Sequence, residues 1–226
     1  MLDRLPSFFR SSDHIWRAAL LAGCDWLEHG FGTRRTVWDA AGRLASAKQV
    51  HSSRCLYAAT AGRIGEADAL ITDQPGLLLA VRTADCLPIL VADPEHRAVA
   101  AIHAGWRGLL AGILKEVLGR MAQRFGSHPE ALLIAIGPAI GGCCYEVGPE
   151  VAMQFRELFP ERKDLEGRTH LDLTEAARRQ LLDTGVRQER VAAAGLCTRC
   201  LAEEFYSWRR DGPRTGRMLS VIGIRG

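Results

Sequence analysis

The sequence predicts one layered α/β domain with some antiparallel strand pairing. Three observations carry that expectation. Short, apolar, β-prone runs cluster at residues 77–82, 88–92 and 97–103. Directly after them the hydrophobic period becomes helical. Strand-like and helix-like segments then alternate to the C-terminus, with no repeat, low-complexity tract or Pro/Ser-rich linker between them. At 226 residues, 47% apolar and 24% charged, the chain has ordinary globular composition and enough length for a substantial core.

The elements follow in order. Residues 1–25 read as an N-terminal extension to a single domain spanning 1–226, with residues 12–28 forming a short helix that leads into a strand near Trp26–Gly30. The runs at 88–92 and 97–103 flank Asp93-Pro94-Glu95-His96, a turn-forming sequence, and so predict a hairpin. Leu109, Leu110, Ile113, Leu114, Val117, Leu118, Met121 and Phe125 recur at helical spacing, with Gly126 as a stop. Residues 131–136 predict a buried strand ending at Gly137-Pro138. Residues 149–159 and 172–183 predict amphipathic helices, and 190–196 and 218–224 predict strands.

Composition excludes several function classes. No run of eighteen apolar residues could span a membrane. A net charge of +3 is too small for a dedicated nucleic-acid binder. Lys48, Lys115 and Lys163 are the only lysines among 29 basic residues, and the arginines that make up the rest suit phosphate and carboxylate clamps. The N-terminus lacks an apolar signal region. With seven cysteines, an odd number, this predicts reduced thiols in the cytoplasm rather than a disulfide framework.

Reactive residues gather just past the ends of the apolar runs, where sites are commonly built. Lys48-Gln49-Val50-His51, Thr83-Ala84-Asp85-Cys86 and His103-Ala104-Gly105-Trp106 supply His51, Cys86 and His103. One Cys and two His match the ligand set of an open catalytic zinc site. The intervals of 35 and 17 residues contain no short chelating step, so packing roles stay open. Cys86 as a thiolate with His103 as its base is the competing chemical reading. The hairpin would bring that pair to one end, and either reading uses the proximity.

Cys197-Thr198-Arg199-Cys200 is a CxxC step, but a structural zinc site wants a second pair. Cys143-Cys144 does not obviously supply it, because adjacent side chains point apart in extended chain. Cys24, Cys55, Cys197 and Cys200 therefore read as packing. The glycine-rich Gly137–Gly142 segment matches neither a dinucleotide fingerprint nor a P-loop and reads as a tight turn. Arg34, Arg209 and Arg210 are candidates for holding a phosphate or carboxylate, or plain surface arginines.

Taken in order, HGFGTR, KQVH, ADALIT, TADCLPILVAD, AAIHAGWRG, IGPAIGGCCYEVGPEV, LDL, CTRC and FYSWRRDGPRTGR resemble the YfiH-type laccase-domain family. The likeness runs from about His29 to Ile224. It implies an α/β sandwich of the YfiH/CNF type, with mixed sheets and helices packed outside. It implies a metal triad of His51, Cys86 and His103 and a purine nucleoside pocket above it. The resident ion would be Zn²⁺, with Cu²⁺ the alternative. Members are credited with phosphorolysis of adenosine, inosine and methylthioadenosine, and with adenosine deamination. Copper-dependent phenol oxidation and peptidoglycan editing are also ascribed to the family. Arg34, Asp85, Cys143, Tyr145, Asp172 and Arg209 match family motifs and are expected at the substrate, Asp85 as a candidate proton carrier. The expected partners are small nucleosides and phosphate, with no nucleic acid or membrane, for a monomer or homodimer. One departure stands out. Thirteen residues (35 through 47) separate Arg34 from Lys48, and the family's GGVS and SxNL elements are missing from that stretch.

Overall fold

The computed structural model describes residues 7–226. Two mixed sheets pack against each other, and helices cover the outer face of one of them. The seven-stranded sheet runs, in spatial order, Phe8–Arg10, Trp16–Ala18, Leu27–Phe31, Met218–Ile224, Leu78–Thr83, Leu44–Lys48 and Gly62–Glu66. The six-stranded sheet runs Val191–Ala193, Leu133–Ile136, Leu87–Asp93, Ala98–Ala104, Ala69–Thr72 and Cys55–Tyr57.

The central hairpin forms as its sequence predicts. Leu87–Asp93 and Ala98–Ala104 pair antiparallel, and Asp93 Oδ1 accepts the Glu95 and His96 amides to close the turn. Both strands are buried along their whole length, because each face meets a different layer. Ile89, Val91, Ala100 and Ile102 pack toward the helices, against Leu114, Val117 and Met121 among others. Leu90, Ala92, Val99 and Ala101 point the other way, onto Leu79, Val81 and Ile222 of the seven-stranded sheet. Alternation between two apolar environments leaves a continuous apolar run rather than a period of two.

Several elements depart from expectation. Within residues 12–28 the helix is confined to Ala19–Ala22 and leads into strand Leu27–Phe31, close to the expected Trp26–Gly30, but Trp16–Ala18 is a strand paired with Phe8–Arg10, and residues 7–18 thus form the sheet edge. Pairing with a neighbouring strand overrides the weak helical pattern there. The periodic stretch after Gly105 is two helices, Trp106–Leu110 and Ile113–Phe125, separated at Gly112, whose φ of 76° lies in the left-handed region. Residues 149–159 keep one α-turn, Pro149–Ala152, and then tighten into a 3₁₀ turn. Leu173–Asp183 is helical as expected, with Asp172 accepting the Glu175 amide as its N-cap. No described helix is long and apolar enough to cross a membrane.

Candidate active site

The hairpin register sets the site. His103 lies opposite Pro88 and Ala104 opposite Leu87, so Cys86, one residue beyond, emerges beside His103. The loop after strand Leu44–Lys48 brings His51 to the same place. One ligand atom from each of His51, Cys86 and His103 lies within 4.8 Å of the others. Cys86 Sγ is 4.0 Å from His51 Nε2, and the two imidazoles meet edge to face with centroids 4.9 Å apart. His103 is buried, Cys86 half-buried and His51 exposed, so the cluster opens toward solvent on the His51 side.

Asp68, absent from the sequence-based candidates, organises this cluster. Its carboxylate accepts the backbone amides of Val50 (3.2 Å), His51 (3.0 Å) and Ser52 (2.6 Å), and the Ser52 hydroxyl (2.8 Å). Those donors hold His51 at φ 59°, a left-handed conformation that a non-glycine residue adopts only under constraint. Asp68 Oδ1 also lies 2.8 Å from His103 Nδ1, fixing that nitrogen as the donor and leaving Nε2 to face the cluster. Burial would raise the Asp68 carboxyl, but His103 and Ser52 overcome it and hold the group at about 2. Burial likewise opposes charge on His103 and Cys86. The Asp68 and Cys86 contacts nevertheless raise His103, and the two imidazoles lower the Cys86 thiol. The arrangement therefore favours the thiolate, the form of cysteine that binds metal or attacks carbon.

Two features test whether a metal fits. The donors are one sulfur and two imidazole nitrogens, a set suited to zinc with an open coordination position. Gly105 flanks them with no side chain. A Cβ there would stand 3.0 Å from Cys86 Sγ and 3.3 Å from the His51 ring. The residues fit the ion.

A cavity of about 680 Å³ opens over the cluster. Trp106, Tyr145 and Trp208 supply aromatic walls, and Arg82, Arg107 and Arg209 supply charge. The guanidiniums of Arg107 and Arg209 lie over the Trp106 and Tyr145 rings, at 4.2 and 5.1 Å from the centroids. Among the described residues, neither Arg82 nor Arg107 has a side-chain hydrogen bond or ion pair, so their donors are free for an anion.

The other sequence-predicted residues divide. Tyr145, Arg209 and Asp85 line the cavity. Asp85, at φ 89°, is bound up in the scaffold: Oδ1 accepts the Thr198 hydroxyl at 2.7 Å and Oδ2 the Arg209 amide at 2.6 Å. Arg34 lies outside, over the Tyr206 ring, donating to the Ala202 carbonyl. Arg210 turns inward to the Thr198 and Phe205 carbonyls. Asp172 is occupied as a helix cap, and Cys143 sits in a separate cysteine cluster.

Residues 33–225 match the family model described as multi-copper polyphenol oxidoreductase laccase. The crystal structure of YlmD from Geobacillus stearothermophilus superposes with a TM-score of 0.86 at 29% identity, covering 97% of this chain and 99% of that one. The chain belongs to the YfiH-type laccase-domain family. A second structure, the hypothetical protein YfiH of Bacillus licheniformis, matches this laccase-domain chain with a TM-score of 0.84 at 27% identity, covering 98% and 100%. Among curated relatives, a purine nucleoside phosphorylase of Deinococcus radiodurans is 45% identical over 82% of this chain and 72% of its own length. One of Bacteroides thetaiotaomicron is 45% identical over 70% of this chain, and the match spans 60% of that relative. Asp68 and Gly105 lie within the ADALIT and HAGWRG segments of this family signature, but one sequence carries no sign that a buried carboxylate 35 residues before His103 would meet it.

Proposed function

We propose that this chain is a zinc-dependent purine nucleoside phosphorylase of the cytoplasm, acting on inosine, adenosine and methylthioadenosine. One observation carries the reading: an aromatic cavity with unpaired guanidiniums lies directly over the His51/Cys86/His103 cluster. The relatives named purine nucleoside phosphorylase support it.

In phosphorolysis the C1′–N9 bond breaks, its electron pair goes to the purine, a phosphate oxygen bonds C1′, and the purine takes up a proton. Trp106, Tyr145 and Trp208 offer faces against which a purine stacks. Arg82 and Arg107 hold the phosphate and spread its charge, a task first expected of Arg34 and Arg209. Arg209 is pinned by its amide to Asp85 and by its guanidinium to the Glu146 carbonyl at 2.6 Å, so it positions the Tyr145 wall. A zinc ion held by His51, Cys86 and His103 would supply Lewis acidity. Adenosine deamination at the same site needs a proton carrier. Asp85 is the one carboxylate lining the cavity among the described residues, and both its oxygens already accept hydrogen bonds. Phosphorolysis is therefore the leading activity.

One further observation favours a second reading. Cys86, His103 and Asp68 form a thiol–imidazole–carboxylate series of the kind used for covalent catalysis, as in a cysteine hydrolase editing peptidoglycan precursors. Copper-based phenol oxidation ranks below both, because one three-ligand centre is fewer than a multicopper cluster needs. Exhaustive chelation separates the two leading readings. Activity lost on chelation and restored by zinc supports the phosphorylase. Activity that survives chelation but is abolished by thiol alkylation belongs to the hydrolase, and full activity in Cys86→Ala contradicts both.

A further inference from the structure

A second cluster of metal-binding side chains lies outside the candidate active site. Cys143, Cys144, Cys197 and Cys200 place their four sulfurs within 4.8 Å of one another. We propose that these cysteines form a tetrathiolate zinc site that staples two loops behind the nucleoside cavity.

The local backbone explains how adjacent cysteines come to share a site. Residues 141–145 are not extended: the Cys144 and Tyr145 amides both donate to the Gly141 carbonyl, at 2.9 and 3.0 Å. In such a turn neighbouring side chains are roughly 100° apart, in place of the 180° of a strand, and the two sulfurs converge to 3.8 Å. On the second loop the Leu201 amide donates to the Cys197 carbonyl, a helical turn that puts Cys197 and Cys200 on one face. The loops are tied by backbone bonds from Ala139 to the Leu196 carbonyl (3.2 Å) and from Thr198 to the Ala139 carbonyl (2.9 Å). Cys197 and Cys200 read as packing in the sequence on the premise of extended chain at Cys143–Cys144, and this turn removes that premise.

The spacing suits a metal better than a disulfide. Four sulfurs about 2.3 Å from a tetrahedral zinc stand about 3.8 Å apart. Cys143 Sγ lies 3.8 Å from Cys200 Sγ, and Cys144 Sγ lies 3.4 Å from Cys200 Sγ. A disulfide needs about 2.05 Å and joins sulfurs in pairs. The surroundings also suit bound thiolates. The Gly141 amide points at Cys197 Sγ at 3.3 Å, and the Arg199 guanidinium lies beside the Cys144 sulfur. Gly141 leaves the sulfurs room, since a Cβ there would meet Cys143 Sγ at 3.3 Å and Cys197 Cβ at 3.4 Å. Cys143 and Cys200 are exposed, which gives an ion a way in.

The site has a structural task. The first loop carries Ile140 and Tyr145 into the cavity wall, and the second carries Thr198, whose hydroxyl holds Asp85 beside Cys86. A closed four-ligand site with no open position holds these loops together and leaves chemistry to the other centre.

Zinc content under reducing conditions tests this in the full-length protein. With both centres filled, the wild type binds about two zinc ions per chain, and Cys86→Ala and Cys200→Ser each bind about one. Cobalt-loaded Cys86→Ala keeps only the four-cysteine cluster, so it should show intense sulfur-to-cobalt charge-transfer absorption with tetrahedral d–d bands. That readout stands even if Cys200→Ser fails to fold. A Cys86→Ala protein that binds no zinc, binds iron in its place, or shows no thiolate–cobalt spectrum would overturn the proposal. So would a wild-type mass two hydrogens short from a Cys144–Cys200 disulfide.

Discussion

Asp68 Oδ1 stands 2.8 Å from His103 Nδ1, and this contact decides which imidazole nitrogen faces the cavity. The same carboxylate accepts three consecutive backbone amides from the loop that carries His51. One buried side chain thereby aims two of the three ligands. Asp68→Asn removes the charge and turns a donor toward existing donors. Zinc affinity at the His51/Cys86/His103 centre should fall by about 10–100-fold, measured by chelator competition in the Cys200→Ser background. Unchanged affinity would show that Asp68 does not orient the ligands.

Gly105 has an ordinary φ of −85°, so alanine there strains no backbone. Its methyl instead lands 3.0 Å from Cys86 Sγ and 3.3 Å from the His51 ring. The expected outcome for Gly105→Ala is a protein that keeps its circular dichroism and most of its melting temperature but loses zinc affinity and activity. Full activity would mean that the cluster can shift freely.

His29 predicts the acid limb of stability. The residue is 5% exposed, and Nε2 accepts the Ala18 amide at 3.1 Å. Burial disfavours the imidazolium, the charges of Arg17 and Arg225 add to that, and the group falls from 6.5 to about 4. Between those values the unfolded chain binds the extra proton, so stability declines as pH falls through the window. The loss from this residue is about 2 kcal/mol between pH 7 and pH 5. In urea titrations, His29→Gln should flatten that slope, and an unchanged slope would locate the acid sensitivity elsewhere.

The proposed function assigns phosphate to Arg82 and Arg107 and the nucleoside to the aromatic walls, which separates the two binding steps. Each guanidinium reaches the cavity with no carboxylate partner among the described residues. Arg82→Ala and Arg107→Ala should each raise KM for phosphate about tenfold and leave KM for inosine nearly unchanged. Equal effects on both substrates would place these arginines in general pocket structure.

Legibility in the sequence followed the range of the interactions. The hairpin Leu87–Asp93/Ala98–Ala104 was readable because its turn is local and its strands are apolar on both faces. Helix Leu173–Asp183 was readable from Asp172 and the amphipathic run after it. His51, Cys86 and His103 stood out as reactive residues past strand ends, and the family likeness singled them out as a set. Long-range effects were not legible. Trp16–Ala18 becomes a strand only because Phe8–Arg10 and Leu27–Phe31 offer it partners. Asp68 looks like any loop acid until the backbone of residues 50–52 wraps around it. Cys143 and Cys144 face together only through a turn closed at Gly141.

The most direct test of the central claim is product identification by mass spectrometry after zinc-loaded protein meets inosine, with and without phosphate. The account predicts hypoxanthine and ribose 1-phosphate in equal amounts, formed only when phosphate is present. Hypoxanthine with free ribose in phosphate-free buffer, or no turnover of inosine, adenosine or methylthioadenosine by fully metallated protein, would contradict it.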